Sequence, residues 1–203
     1  MDTYGELRKR GFEVIKYYKF VRGLDSTDED LIKILKAHCF TMLYNLIESV
    51  ATNAFEEVYD ACGQHTFDDL RSEVKMIVLK NVQGRNARDL VGVLNSLSGD
   101  IVLASFKKDE LFSGNLDARK LRDTMSEYGI DRRSDYKNDG MHVIKINRND
   151  LGHGVKSFVE CGRDYTIEDL GEYIFSTIRF LRRFLSDVER YISAREYLMP
   201  TAS

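Results

Sequence analysis

The stretch TIEDLGEYIFSTIRFLRRFLSDVERYISAREY, residues 166–197, decides the fold class. Thr166 and Asp169 form a capping-box pattern at its start, which predicts the beginning of a helix. Aliphatic side chains then recur every three or four residues, the spacing of one helix face: Ile167, Leu170, Ile174, Ile178, Leu181, Leu185, Val188 and Ile192. A second apolar row runs beside them: Tyr173, Phe180, Phe184 and Tyr191. We therefore predict a long helix that is central in its bundle or shared with a partner.

The rest of the chain also favours helices, because it contains one proline, Pro200, near its end. Helical spacing predicts further helices at about residues 5–22, 28–62, 66–84, 115–129 and 141–152. Ser26, Thr66 and Asn115 are the predicted capping residues of three of them. Residues 87–106 are ambiguous between a helix and a short strand. The prediction is one all-α domain over residues 1–203, an up-and-down helical bundle with a small irregular insert around 100–140.

Composition narrows the function classes. A net charge of −3 and a pI near 5.9 argue against an overall basic surface for nucleic acid, so only a local basic cleft would serve. The three cysteines are widely spaced and form no metal cluster with the histidines, which predicts reduced, buried thiols and no metal or other cofactor. The chain starts without an apolar leader and has no apolar run of about 18 residues. We expect a cytoplasmic protein that does not enter a membrane.

The stretch RNDLGH, residues 148–153, places an arginine five positions before a histidine. This pair suits cleavage of a phosphodiester. Histidine titrates near neutral pH and can take or give a proton, and arginine carries a fixed charge and a planar set of donors for the oxygens on phosphorus. RNA supplies its own nucleophile, the 2′-hydroxyl, so the chemistry needs no metal ion. The spacing predicts Arg148 and His153 as catalytic residues.

A second interpretation of the same stretch is purely structural. About one arginine–histidine pair at this kind of spacing is expected by chance in a chain of this composition. His153 would then occupy the last turn of a helix, near its negative end, and Gly154 would follow as the residue that ends it. Arg148 would be an ordinary surface arginine.

Three passages taken together resemble the HEPN superfamily (higher eukaryotes and prokaryotes nucleotide-binding domains). FTMLYNLIESVATNAFEEVYD, residues 40–60, is similar to the family's long early helix. SGNLDARKLRDTMSEYG, residues 113–129, is similar to a segment of one subfamily. RNDLGHGVKSF, residues 148–158, followed by TIEDL, is similar to the Arg-x(4–6)-His motif and the entry to the last helix. The resemblance covers most of the chain from about residue 40 onward and is closest to the ribonuclease branch of bacterial toxins and anti-phage systems.

The resemblance implies a metal-independent endoribonuclease that leaves a 2′,3′-cyclic phosphate. Arg148 and His153 would perform the chemistry, and Asn149 would be the polar residue that follows the motif arginine. Glu48 on the early helix and Asp150 are secondary candidates; Asp150 could equally pair with a neighbouring lysine or arginine. The alternative function is a non-catalytic HEPN module that binds a nucleotide or serves as a scaffold and regulates a partner protein.

The resemblance also implies partners. RNA would be the substrate, and two protomers would form a homodimer with two motifs across one cleft, since in-line cleavage needs both a base and an acid. An antitoxin or another defence-system protein is a further expected partner. Candidate contacts to RNA phosphates are Arg132, Arg133, Arg182 and Arg183, although such charges are often only solvated faces.

Overall fold

The computed structural model describes residues 2–83, 102, 105–106, 111–112, 115–132 and 138–200. Within those residues the chain is helical, and an isolated antiparallel bridge between Leu70 and Leu198 is its only extended pairing. The helices are α1 (Thr3–Arg22), α2 (Glu29–Cys62), α3 (Ser72–Gln83), α4 (Ala118–Glu127), α5 (Gly140–Gly152), α6 (Phe158–Arg163) and α7 (Ile167–Ser193), with a 3₁₀ turn at Phe67–Asp69. The predicted all-α class is confirmed.

The centre of the bundle is α2, which packs against α1, α5, α6 and α7. Its buried residues cover more than half of its circumference, as expected for a helix with neighbours on several sides: Ala37, Cys39, Phe40, Leu43, Tyr44, Leu46, Ile47, Val50, Ala51, Ala54, Phe55, Val58, Tyr59 and Cys62. Gly162 of α6 lies against the backbone of Lys33 in α2, where a Cβ atom would be 1.8 Å from the carbonyl oxygen. The lack of a side chain at Gly162 therefore allows the close approach of α6 to α2.

The last helix, α7, starts at the predicted capping box of Thr166 and Asp169 and buries most of both apolar rows, with Ile167, Tyr173 and Ile192 only half-buried. It ends at Ser193, four residues before the predicted end, because Arg195 adopts a positive φ of 53° and the chain turns. Within its own chain, α7 packs on α1, α2 and α5, and a further contact of α7 with a partner stays a prediction.

Several predicted helix starts were wrong. The N-cap of α2 is Asp28, whose side chain accepts from the Leu31 backbone at 3.0 Å, and Ser26 instead accepts from the Asp28 backbone. The N-cap of α4 is Asp117 rather than Asn115. Thr66 and Asp69 do form a capping box, but it caps only the 3₁₀ turn. In each case another Asp or Ser lies within a few residues, and the local sequence does not indicate which of them caps the helix.

Two further elements differ from the sequence prediction. No helix was predicted between residues 152 and 166, yet Phe158–Arg163 form α6, which begins at a capping box between Ser157 and Glu160. The predicted helix at 66–84 is broken at Leu70, whose bridge to Leu198 interrupts it before α3 starts. Much of the ambiguous segment 87–106, and part of the predicted insert, lie outside the described residues; the described part of the insert contains α4.

The cysteines follow their prediction as buried, free thiols. Burial raises the pKa of the Cys39 and Cys62 thiols to about 12, and that of Cys161 to about 11. All three are therefore protonated near neutral pH and are packed as small apolar groups.

Candidate active site

The RNDLGH stretch forms the last turns of α5 and its C-terminal cap. The C-cap residue is His153, whose backbone N–H donates to the carbonyl of Asn149 at 2.9 Å. Gly154 follows with a positive φ of 68°, and Val155 donates to the carbonyl of Asp150 at 2.8 Å. These are the hydrogen bonds of a Schellman motif, in which a glycine allows the left-handed turn. The motif is thus held on a helix end of defined geometry.

The guanidinium of Arg148 lies on the ring of Tyr44 in α2, with Cζ 4.5 Å from the ring centroid. Tyr44 is fully buried, and its hydroxyl accepts a hydrogen bond of 3.2 Å from the backbone N–H of Leu116. Arg148 is half-buried. Because the ring is buried and its hydroxyl is hydrogen-bonded, it offers the guanidinium a rigid, flat surface and a cation–π contact. Arg148 therefore differs from an ordinary surface arginine.

Asn149 contacts the same guanidinium, and Glu48 lies near the Tyr44 hydroxyl. Arg148 Nη1 donates to Asn149 Oδ1 at 3.1 Å. Glu48 is one helical turn after Tyr44 on α2 and is half-buried. Burial raises the pKa of the Tyr44 hydroxyl, the charge of Glu48 raises it further, and the charge of Arg148 lowers it. The structure thus brings Arg148 and Asn149 into contact and places Glu48 close enough to Tyr44 for its charge to act on the hydroxyl.

His153 is exposed, and within the described residues no hydrogen bond or ion pair joins its side chain to Arg148. Asp150 is half-buried and lies near Lys156: the pKa of Lys156 is raised chiefly by its hydrogen bond to Asp164, with a smaller contribution from the charge of Asp150. Lys156 thus forms its ion pair with Asp164 rather than with Asp150, and the role of Asp150 stays a prediction. The imidazole of His153 stays accessible at the end of α5.

Three of the four candidate RNA contacts lie in the described part of the chain. Arg132 is exposed after α4, and Arg133 lies outside the described residues. Arg182 and Arg183 are exposed on α7, and Arg182 lines an apolar groove with α1 residues such as Tyr4 and Phe12. The role of these four arginines in binding RNA stays a prediction.

Sequence reasoning missed two residues that position the motif. One is Tyr44, and the other is Asn147, which is buried next to Arg148. Asn147 Nδ2 donates to the Tyr165 hydroxyl at 2.7 Å and to the Val143 carbonyl at 2.9 Å, and its Oδ1 accepts from Cys161 Sγ at 3.3 Å. These bonds tie α5 to α6 and to the start of α7. An available signal for Tyr44 was its spacing of four residues from Glu48.

Two features of the fold bear on cofactors and membranes. Among the described residues, no three His, Cys, Asp or Glu side chains are grouped closely enough to hold a metal ion. None of the described helices is both long and apolar enough to span a membrane.

Comparison with known families gives a match over nearly the whole chain. A family model described as HEPN_MAE_28990:/-like HEPN matches residues 4–197. The chain belongs to this HEPN family. The match includes α1, which the sequence resemblance did not cover, and extends beyond α7. No curated protein and no solved structure matches the chain. HEPN membership thus rests on nearly the whole length of the chain.

Proposed function

We propose that this HEPN protein is a metal-independent endoribonuclease in which Arg148 and His153 are the catalytic residues. One observation carries the proposal: Arg148 is held on the buried ring of Tyr44, in contact with Asn149, on the helix that ends at the exposed His153. A cation that is fixed before the substrate arrives can stabilise charge without reorganising in the transition state.

The reaction is an intramolecular transesterification. The 2′-oxygen of the RNA attacks the adjacent phosphorus, a bond between that oxygen and phosphorus forms, and the bond from phosphorus to the 5′-oxygen breaks. The base accepts the proton of the 2′-hydroxyl, and the acid donates a proton to the leaving 5′-oxygen. The products are a 2′,3′-cyclic phosphate and a 5′-hydroxyl. Arg148 stabilises the added negative charge on the phosphoryl oxygens, and Asn149 orients the guanidinium.

A homodimer supplies the second proton-transfer group in this proposal. Each chain carries a single motif histidine, whereas the reaction needs a base and an acid on opposite sides of phosphorus. Two protomers related by a two-fold axis bring two His153 side chains and two Arg148 side chains to one cleft. The exposed end of α5 is compatible with such an approach.

The proposed setting is that of a bacterial toxin or anti-phage effector, with an antitoxin or another defence-system protein as its regulator. Toxins of this kind must be held inactive in healthy cells. Support for this part comes from the HEPN family and from the similarity of the motif region to its ribonuclease branch.

The test is RNA cleavage by the purified protein in EDTA, with Arg148→Ala and His153→Ala as variants. His38→Ala is the matched control, because His38 is also an exposed histidine but lies on α2 beside Tyr17. We expect cleavage by the wild type and the control and a loss of at least about 100-fold in both motif variants, since general acid–base catalysis contributes about 10²–10⁴-fold. Absence of cleavage in every sample would overturn the proposal in favour of a non-catalytic HEPN module.

A further inference from the structure

The N-terminus of α4 and the first turns of α5 enclose an open pocket of about 700 Å³. Its charged lining residues contribute four Lys and Arg side chains, one histidine and three aspartates: Arg119, Lys120, Arg122, Lys145, His142, Asp117, Asp123 and Asp139. The lining is thus locally cationic in a chain whose net charge is −3. A recessed cluster of this kind favours an anionic ligand.

The aspartates of the pocket are largely engaged with its cations. Asp117 accepts from the Lys120 backbone N–H at 2.9 Å as the N-cap of α4 and also forms an ion pair with Lys145. Burial raises the pKa of Asp117, but the hydrogen bonds from Lys145 and from the Lys120 backbone outweigh it and hold the pKa below its ordinary value. His142 Nδ1 is 3.7 Å from the same carboxylate, so a protonated imidazole would also face Asp117. The side chain of Lys120 is exposed at this pocket.

A buried donor adds a second indication of a ligand. Asn138 lines the pocket and is only 9% exposed. Among the described residues its amide nitrogen Nδ2 has no hydrogen-bond partner. Buried donors without a partner are uncommon. Since Nδ2 is enclosed in this structure, an oxygen of an anion in the pocket would reach it once the Asn138 side chain turns toward the pocket.

The pocket lies near the contact between Arg148 and Tyr44. Leu116, whose N–H donates to the Tyr44 hydroxyl, directly precedes Asp117 in the pocket wall. Lys145, which lines the pocket, is three residues before Arg148 on α5, a spacing that makes the two side chains neighbours on the helix surface. A chain of nucleotides bound at Arg148 therefore has the pocket beside it.

We infer that this pocket is a subsite for a backbone phosphate of the RNA substrate, next to the phosphate that is cleaved, with Lys120 and His142 as its main ligands. The inference rests on the proposed ribonuclease function. The same phosphate chemistry is present in a free mononucleotide, so the experiment includes both ligands.

The test uses fluorescence anisotropy with labelled single-stranded RNA of about ten nucleotides, within the usual site sizes of such proteins. Each 2′-hydroxyl is methylated, so the RNA cannot be cleaved and binding is measured independently of activity. Wild-type protein is compared with Lys120→Ala, His142→Ala and the double variant over a range of KCl concentrations. Lys16→Ala is the matched control, since Lys16 is an exposed lysine on α1.

We expect the double variant to bind about tenfold more weakly. The slope of log K against log salt should become shallower by roughly 0.7 for each phosphate that the variant no longer neutralises. The Lys16→Ala control should match the wild type. An unchanged Kd and slope in the double variant, or no binding by the wild type, would overturn the inference. Binding of AMP as tight as that of RNA, abolished in the same variants, would also contradict it and assign the pocket to a mononucleotide.

A cleavage assay in EDTA distinguishes failure of the phosphate subsite from failure of the proposed ribonuclease function. If the wild type cleaves RNA while the pocket variants bind it normally, only the phosphate subsite fails. If the variants lose binding while the wild type shows no cleavage, the ribonuclease proposal fails and the pocket remains an RNA-binding site.

Discussion

The guanidinium carbon of Arg148 lies 4.5 Å from the centroid of the Tyr44 ring. The ring belongs to the central helix of the bundle, and the arginine belongs to the helix that carries the motif. The most buried part of the fold thus fixes the position of the arginine in the RNDLGH stretch. Because of this contact, Arg148 is held in place before a substrate binds, unlike an arginine whose side chain is free in solvent.

Replacing Tyr44 should separate the effects of its ring and of its hydroxyl. Tyr44→Phe keeps the ring, so the cleavage rate should stay within about threefold of wild type, while stability falls by about 1–3 kcal/mol because the buried Leu116 N–H loses its acceptor. Tyr44→Leu also removes the cation–π contact, and cleavage should fall by roughly tenfold, as expected for about 1.4 kcal/mol. Single-turnover cleavage at equal folded fraction, with urea unfolding, measures both. Equal rates in the two variants would contradict the role of the ring.

Substitutions of Asn147 and Asn149 should have different effects: the first should lower stability, and the second should lower the cleavage rate. Asn147→Leu leaves the Tyr165 hydroxyl without its hydrogen bond and should reduce the free energy of unfolding by about 1–3 kcal/mol. Asn149→Ala should change stability by less than about 0.5 kcal/mol, since Asn149 is half-buried and its side chain bonds to Arg148, but cleavage should decrease. Urea denaturation and the cleavage assay test this contrast. A stability loss confined to Asn149→Ala would be inconsistent with the structure.

The ion pair of Asp117 and Lys145 predicts a pH-dependent stability. The folded state lowers the pKa of Asp117, so its stabilising effect is present above the unfolded value of about 3.9 and is lost as pH falls through the lower, folded value. Asp117→Asn keeps an N-cap residue and removes the charge. We expect this variant to be about 1.5–3 kcal/mol less stable at pH 7, the range for hydrogen bonds to charged groups.

The difference between wild type and Asp117→Asn should shrink as pH falls from about 5 towards 2, because the wild-type carboxylate is then protonated. Urea unfolding across this range measures it. A difference that stays constant with pH would show that the charge of Asp117 does not stabilise the fold.

Alanine substitutions at two helix glycines, Gly162 and Gly152, test how closely α6 packs on α2. At Gly162 an added Cβ would be 1.8 Å from the Lys33 carbonyl oxygen, so Gly162→Ala should destabilise the protein by at least about 3 kcal/mol. At Gly152 no described atom lies within 4 Å of the new Cβ, and Gly152→Ala should stabilise by about 0.5–1 kcal/mol. Thermal unfolding of both variants measures the contrast. Similar melting temperatures would contradict the close packing of α6 on α2.

Sequence periodicity predicted the long helices because each buries a continuous apolar face. It located α5 within one residue and α7 from its capping box to near its end. It did not predict α6, whose six residues are too few to show a helical period and whose position depends on contact with α2. The choice among nearby caps, as at Asp117 against Asn115, also depends on tertiary neighbours such as Lys145.

Some residues of the candidate site could likewise be predicted from the sequence, and others could not. Arg148, Asn149 and His153 are close together in sequence, so motif spacing was enough to nominate them. Tyr44 is more than 100 residues away, and only the packing of α5 on α2 brings it under Arg148. Motif spacing did not nominate His142, which has no preceding arginine separated from it by four to six residues, yet it is an exposed residue of the pocket at α4. Contacts between segments that are far apart in sequence can be identified only once the fold is known.

The most direct test of the proposed ribonuclease activity is end-group analysis of a defined RNA after incubation with the protein in EDTA. We predict that the wild type yields a 2′,3′-cyclic phosphate and a 5′-hydroxyl at one position, that a 2′-deoxy nucleotide there prevents cleavage, and that His153→Ala lowers the yield at least about 100-fold. Equal yields from wild type and His153→Ala, or cleavage of the 2′-deoxy substrate, would contradict the proposed mechanism.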